Sequence, residues 1–591
     1  MLTLERDARD AVETRNPVHP LGKRARVLLS SVFGPYAQND EFGSRKINPM
    51  ELYHNQVTRT QGPFSLRMFH RSWGIMLIQC NISAPCALLD FPTLDRFIEE
   101  IRSNQYDIVG ISAIMPNLGK VREMCRLIRE YLPQAAIVVG GHISNMTNIG
   151  NRIDADHIVR GDGVRWFRRF LGEDVSQPIH HPLILSGIKT RTMGLNVRRK
   201  KGEVAATLIP SVGCPVGCNF CATSAMFGGK GKFVNYYETG DELFHIMCGL
   251  EKEMEIRSFF VMDENFLLHR KRALRVLELM EEHGKSWSLY VFSSARVLLS
   301  YTIEQLVGLG ISWAWMGLEG KQSQYAKLSG VNTFELVRHF HPHGIRLLGS
   351  SIIGLENHTP ENIDEVIEYA VSHGTDFHQF MLYMPIPGTP LHAELEASQT
   401  LLPLEDFNEA DIHGQLIFNF KHRHIKNGQE AEFIVKAFER DFEVNGPSVL
   451  RIARTTLEGW KRYKNHPSKR IRDRFAYEAH ELYLKYAGSL WAAQRWFKGN
   501  LKLVERITEV LEDIKKEFGL KARLMAPIAG RVILHKIRKE NNFLKAGGTY
   551  EPPTFYEMNQ QMNSLKQKTA LNAKLVKWIS PPISCSTVNA L

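Results

Sequence analysis

No uninterrupted apolar stretch of this 591-residue sequence approaches the roughly 18–20 positions needed to cross a bilayer. The first ten residues, MLTLERDARD, lack the apolar core of a signal peptide. Neither membrane insertion nor export is therefore expected. Cysteine is scarce. Eight thiols in so long a chain make no disulfide framework, and a reducing, cytoplasmic setting is the expectation. Cys80, Cys86, Cys125, Cys248 and Cys585 are scattered and read as small buried side chains rather than ligands. Cys585 also lies too far from the end for a prenylation box. An acidic surplus is missing too: the net charge is +11. That permits an anionic partner such as nucleic acid, a phosphate-bearing substrate or an acidic membrane surface, without choosing among them. Gly228-Gly-Lys-Gly-Lys232 lacks the Ser or Thr that a phosphate loop carries after its lysine, and reads as a flexible turn. With 43% hydrophobic and 23% charged residues the chain has ample material for cores.

The remaining three cysteines stand together in Ile209-Pro-Ser-Val-Gly-Cys214-Pro-Val-Gly-Cys218-Asn-Phe-Cys221. Thiolates are soft ligands suited to iron–sulfur clusters or zinc. Zinc asks for a fourth Cys or His at short spacing, and none follows. Three thiolates on a cubane leave one iron open. This Cys-x3-Cys-x2-Cys spacing resembles the signature of the radical SAM enzymes. The resemblance implies that Cys214, Cys218 and Cys221 hold a [4Fe-4S] cluster whose open iron chelates S-adenosylmethionine. It further implies reductive cleavage to a 5′-deoxyadenosyl radical, with electrons from a donor such as flavodoxin or ferredoxin.

Upstream, Arg26–Ser31, Gly74–Gln79, Tyr106–Ser112 and Ala136–Gly140 read as buried strands, alternating with helices over Phe91–Arg102 and Leu118–Leu132. That pattern predicts a doubly wound parallel sheet, with ligands beyond the carboxyl ends of the strands. Ser112-Ala-Ile and Gly140-Gly141 fall at two such ends. They resemble elements of the cobalamin-binding domain and so imply Ser112, Gly140 and Gly141 as cobalamin contacts. The Asp-x-His-x-x-Gly element of that family is absent: after the first strand the chain reads Val32-Phe-Gly-Pro-Tyr-Ala-Gln-Asn. No histidine there would coordinate cobalt, and His142 reads as a structural polar residue.

Downstream, six strand–helix repeats predict a partial (β/α)6 barrel rather than a closed eightfold one. By resemblance, Asp263 and Glu264 would face the methionyl amino group. Arg296 would fork the methionyl carboxylate, Glu319 would reach the ribose, and Ser350 and Gly354 would lie along the adenine. The last strand runs into Pro385-Ile-Pro387-Gly388-Thr389, close to a motif of the branch fused to cobalamin domains. Beyond residue 400 the periodicity is helical, and Arg451, Arg454, Lys461, Arg462, Arg470, Arg472 and Arg474 are interleaved with aromatics. Such a face suits a phosphate or a peripheral contact with anionic lipid, or is a solvated surface.

The expected fold is thus α/β, with an N-terminal flavodoxin-like domain, a partial barrel and an α-helical C-terminal region. The expected divisions are a lead-in at 1–22, a cobalamin-type domain at 23–175, a linker at 176–205, the barrel at 206–398, helices at 399–564 and a tail at 565–591. The expected activity is cobalamin-dependent radical methylation of an unactivated carbon in a small-molecule or lipid-like substrate, with no nucleic acid partner. One rival keeps the same cofactors and performs ring closure or oxidation. A second, of another class, is a basic RNA-binding protein with a structural or redox cluster.

Overall fold

A computed structural model describes residues 18–565, apart from 37–39, 43–50, 53–61, 65, 187–190, 193–194, 197–203, 321–324, 326–327, 329, 404–405, 427, 547 and 549–550. Most of the lead-in, the basic run Arg198–Lys201, Cys585 and the tail from 566 lie outside the described residues. The chain forms two compact units, neither continuous in sequence. The first comprises residues 1–35, 72–182 and 552–591, and the second 36–71 and 183–551.

In the first unit a parallel sheet is built from β1 (Val27–Ser31), β2 (Cys86–Asp90), β3 (Ile108–Ser112), β4 (Ala136–Gly140) and β5 (His157–Ile158). Their spatial order is β2-β1-β3-β4-β5, the flavodoxin-like winding. β1 and β2 are buried along their whole length, which is why they read as unbroken apolar runs rather than alternating ones. Helices α1 (Trp73–Cys80), α2 (Leu94–Ser103), α3 (Leu118–Tyr131) and α4 (Gly163–Phe170) complete the layers. Thr93 and Asp162 cap α2 and α4, each accepting hydrogen bonds from the first turn.

One expectation fails here. Gly74–Gln79 is not a strand but lies in α1, and the strand follows at Cys86–Asp90. A short run that is apolar on every side has no period to tell helix from strand. The sheet also gains an edge that the sequence pattern did not announce. Phe555–Met558 pairs antiparallel with β2, placing Phe555 opposite Asp90 and Met558 opposite Ala87. The side chain of Asn559 accepts from the Cys86 N–H at 3.0 Å and donates to the Ala84 carbonyl at 2.9 Å. Tyr556 and Tyr106 both donate to Oε1 of the buried Glu100, at 3.0 and 2.5 Å.

In the second unit the parallel strands β6 (Ala205–Leu208), β7 (Ser258–Val261), β8 (Ser288–Ser293), β9 (Ile311–Glu319), β10 (Arg346–Ile353) and β11 (Phe377–Leu382) follow one another in sequence order. Among the described residues β6 and β11 do not pair, so the barrel is partial. Helices α5 (Gly240–Met254), α6 (Arg270–Glu282), α7 (Ile303–Gly308), α8 (Thr333–Phe340) and α9 (Ile363–Val371) alternate with the strands. Capping boxes at Thr239/Glu242 and Thr302/Gln305 start α5 and α7.

Beyond residue 428 come the helices α10 (Gln429–Asn445), α11 (Ser448–Tyr463), α12 (Lys469–Ala479), α13 (Ala487–Trp496) and α14 (Leu501–Lys545), the last bent at Gly519. Much of the basic character expected on an open face is consumed inside the protein. Arg474 and Arg346 both pair with Glu478, at 2.7 and 2.6 Å, and all three are buried. Arg474 also donates to the Ile311 carbonyl at the start of β9. Arg451 forks Asp441 and donates to the Thr375 carbonyl, while Arg470 donates to the Gly308 carbonyl. These arginines bind the helices to the barrel's strand starts. Arg451 and Arg474 therefore cannot serve as the phosphate or lipid face.

Candidate active site

The cysteine loop leaves the short strand Ser211–Val212, which pairs antiparallel with Val234–Asn235 and so ties the loop's two ends together. Gly217, at φ +72, packs so close to Lys230 that a Cβ would stand 2.6 Å from the lysine Cα. Only glycine lets the chain wrap this tightly. The Gly228–Lys232 turn thus braces the loop; Gly231 N–H donates to the Pro215 carbonyl at 2.8 Å. Cys221 caps the short helix Ala222–Met226, and its Sγ accepts from the Ser224 N–H at 3.5 Å. That bond favours the thiolate, but burial outweighs it and raises the Cys221 thiol above its ordinary value. Ser224 Oγ donates in turn to the Cys214 carbonyl at 2.8 Å. All three thiols are half-buried. Burial, with the neighbouring Cys221, Glu264 and Cys218 adding to it, pushes the Cys214 thiol up to about 11. Among the described residues no three Cys, His, Asp or Glu side chains close on a single point as one metal ion requires. A cubane presents spread corners and makes no such demand.

The two acids after β7 have separate duties. Asp263 is fully engaged: its Oδ2 accepts from Ser211 Oγ at 2.5 Å and pairs with the buried Arg272 at 2.7 Å, and its Oδ1 accepts from the Asn265 N–H. It anchors the cysteine loop's root, and each of its carboxylate oxygens already has a partner. Glu264 lies close enough to the cysteine loop for its charge to act on Cys214 and Cys221. Its Oε2 is buried and has no hydrogen-bond partner among the described residues. Burial first, and the Asp263 charge second, push this carboxyl up to about 8. A buried acceptor left unpaired is costly, and a charged donor from a ligand would relieve it.

Glu319 ends β9 at φ 52, where the ladder slips register between Gly317 and Glu319. A buried glutamate held left-handed is strained, the kind of cost that persists at functional sites. Its charge acts on Tyr325, as does that of Cys218. Tyr325 donates to Asn219 Oδ1 at 3.4 Å and stands edge-on to Phe220 at 5.1 Å. Tyr383 stands edge-on to the same Phe220 at 6.3 Å. The Asn219 carbonyl accepts from the Leu391 N–H at 3.1 Å, beyond the Pro-Ile-Pro-Gly-Thr turn. That turn therefore fastens the cysteine loop to the end of β11.

Ser350 lies half-buried on β10, in register between Gly317 and Gln379. The same face carries Phe260, Tyr290, Phe292, Trp313 and Trp315, with ring centroids 4.8–5.7 Å apart between neighbouring strands. The strands' opposite face meets the helices, Phe259 packing edge-on to Trp287. The barrel's concave side is thus an aromatic wall, of which Trp313 and Trp315 remain partly open. At Gly354 the space a side chain would take is filled by the Phe418 ring. Its glycine answers to that packing as well as to any ligand. Arg296 sits exposed on the short helix Ala295–Leu298 and makes no hydrogen bond or ion pair with the loop or the acids.

In the first unit Ser112 and Gly140 end β3 and β4 directly opposite each other. A Cβ on Gly141, at φ +84, would stand 2.5 Å from the Ala113 carbonyl oxygen and 3.1 Å from Ser112 Oγ. The sheet order and this close turn bring Ser112, Gly140 and Gly141 to one strand-end crevice. His142 is half-buried, and its desolvation holds the imidazole below the usual range. The buried Lys120 donates to the carbonyls of Phe33 and Pro35 in the loop after β1.

The tyrosine pair, Asn219 and the aromatic wall went unnoticed in the sequence. Alternating large rings in Tyr290-Val-Phe292 and Trp313-Ala-Trp315 were a readable signal for the wall. Tyr325 offered none.

Residues 68–171 match the family model of the B12 binding domain. The chain is 25% identical to a bacteriochlorophyllide d C-8(2)-methyltransferase of Chlorobaculum tepidum, over 60% of this chain and 84% of that protein. It is 25% identical to an anaerobic magnesium-protoporphyrin IX monomethyl ester cyclase of Rubrivivax gelatinosus, over 53% of this chain and 63% of that one. Among solved structures it resembles the radical S-adenosylmethionine methyltransferase TsrM of Kitasatospora setae, with a TM-score of 0.46 and 15% identity over 77% of this chain and 98% of that one.

Proposed function

We propose, of a chain that belongs to the B12-binding radical SAM enzymes, that it methylates an unactivated carbon of a small, largely apolar substrate. Support for the site comes foremost from Glu264: a buried carboxylate oxygen without a partner among the described residues, close enough for its charge to act on Cys214 and Cys221 of the three-thiol loop. It fits the ammonium of S-adenosylmethionine better than Asp263, whose oxygens are engaged. Cys214, Cys218 and Cys221 would hold a [4Fe-4S] cluster, and Ser112, Gly140 and Gly141 would lie along cobalamin. Bound there, these groups supply reductive cleavage of the sulfonium and a transferable methyl group.

The chain's own residues then bind, orient and exclude water. The strained Glu319 is positioned to accept hydrogen bonds from ribose hydroxyls. Ser350 offers a hydroxyl on the concave face. Arg296, exposed and without an ion pair among the described residues, would swing toward a carboxylate. The aromatic wall gives a flat apolar substrate area to lie against while keeping water from the reacting carbon.

Protein purified without oxygen, with cobalamin supplied, should carry iron, sulfide and cobalt, and should form 5′-deoxyadenosine once reduced. Cys218→Ala should lose the iron and the nucleoside while keeping its cobalt. Candidate apolar acceptors should gain label from methyl-labelled S-adenosylmethionine. Nucleoside formation with an unlabelled, oxidised or ring-closed product would establish the cyclase-type reading, which the similarity to the ester cyclase favours. Zinc in place of iron, or no nucleoside at all, would defeat the assignment.

A further inference from the structure

The second half of α14 carries two surface features that the catalytic reading does not use. Leu520, Leu524, Ile528 and Val532 recur every fourth residue, and each is more than half exposed, from 54% to 74%. On a helix that spacing draws one continuous line. The opposite face is satisfied: Ala522, Ala526, Ile533 and Ile537 are buried. Gly530 meets the Trp491 ring of α13 where a Cβ would come within 2.4 Å.

Charge is the second feature. Between Glu517 and Glu540 there is no acidic residue, whereas Lys521, Arg523, Arg531, Lys536, Arg538 and Lys539 fall in that interval. All six are exposed, and none makes an ion pair with a described residue. The first half of the same helix behaves differently, its Asp513 and Glu517 pairing with Lys461 and Lys464 of α11.

We infer that residues 520–539 form a docking face for an anionic lipid surface. The helix would lie in the plane of the bilayer, with the four aliphatic side chains at the acyl boundary and the cations among lipid phosphates. A second copy of the chain fits less well, because two such faces would bring like charges together. A nucleic acid would use the cations but leave the aliphatic line exposed. The helix does not cross the bilayer: among the described residues no helix is long and apolar enough to do so. The inference is independent of the reaction the barrel performs.

The test is cosedimentation of the full chain with vesicles of phosphatidylcholine alone or phosphatidylcholine mixed with phosphatidylglycerol. Binding should be confined to the anionic vesicles and should weaken as salt rises. Leu524→Asp with Ile528→Asp should lower the vesicle affinity by at least about tenfold, with unchanged circular dichroism and melting temperature. If that pair disturbs folding, Lys521→Glu with Arg538→Glu attacks the same face without touching an apolar residue and should lower it comparably. Equal binding by wild type and both variants, binding to neutral vesicles alone, or no binding would overturn the inference. So would a dimer that Leu524→Asp dissociates, or retention on RNA that the charge reversals abolish while vesicles are ignored.

Discussion

At the scale of single residues, two neighbouring acids should respond to substitution in different ways. Glu264→Gln keeps shape and hydrogen-bonding capacity but removes the charge that this carboxyl, raised to about 8 on its own, takes on beside a bound ammonium. A charge-assisted hydrogen bond contributes roughly 1.5–3 kcal/mol, so affinity for S-adenosylmethionine should fall between about tenfold and 150-fold. Iron content and melting temperature should stay as they are. Asp263→Asn breaks a buried pair with Arg272, each side chain 2% exposed. Leaving that guanidinium unpaired costs about 3–5 kcal/mol, so the melting temperature should drop along with activity. Calorimetric titration and thermal unfolding of both variants separate the roles; equal affinity in Glu264→Gln and wild type would return the amino-group contact to another residue. Sequence could place both acids at a strand end but could not rank them. The ranking rests on Ser211 and Arg272, 52 and 9 residues away from Asp263.

At the scale of elements, the join between helices and barrel is polar and buried. Burial alone would raise the Glu478 carboxyl, but Arg474 and Arg346 outweigh it and hold the group below its ordinary 4.5. A carboxyl depressed by folding contributes stability above its unfolded value, and that contribution is lost as pH falls through the lower folded value. Unfolding free energy should therefore decline from about pH 5 downward. Glu478→Gln should be destabilised by about 3–5 kcal/mol near neutrality and show a flatter decline in acid, measured by urea unfolding across pH. Identical pH slopes for the two proteins would show that other groups govern acid unfolding. The elements themselves were largely legible where length and period were unambiguous: the six strand–helix repeats expected of the barrel appear as six parallel strands with helices between them. The exception, Gly74–Gln79, is short and apolar all round. The basic faces of α11 and α12 were misjudged because charge along a helix says nothing about which acids the fold will bring against it.

At the scale of the whole molecule, chain order and spatial order diverge. The wound sheet of the first unit was visible as alternating strands and helices, yet its edge comes from residues 555–558, more than 460 positions after β2. No local pattern reports a pairing so distant; Phe-Tyr-Glu-Met is too short to read as a strand. Its contribution can nonetheless be weighed. A chain ending at Glu551 would strip the Cys86 N–H and the Ala84 carbonyl of their Asn559 partners and take Tyr556 from Glu100. Each buried group so orphaned costs about 1–3 kcal/mol. Such a truncated protein should show rapid amide exchange in β2 and lose cobalt, while the cysteine loop, whose braces all lie between residues 211 and 391, should keep its iron. Loss of both metals would mean that the two units fold as one. Retention of slow exchange and of cobalt would mean that the five parallel strands suffice, leaving the distant strand with the lesser task of covering an edge otherwise free to pair with another chain.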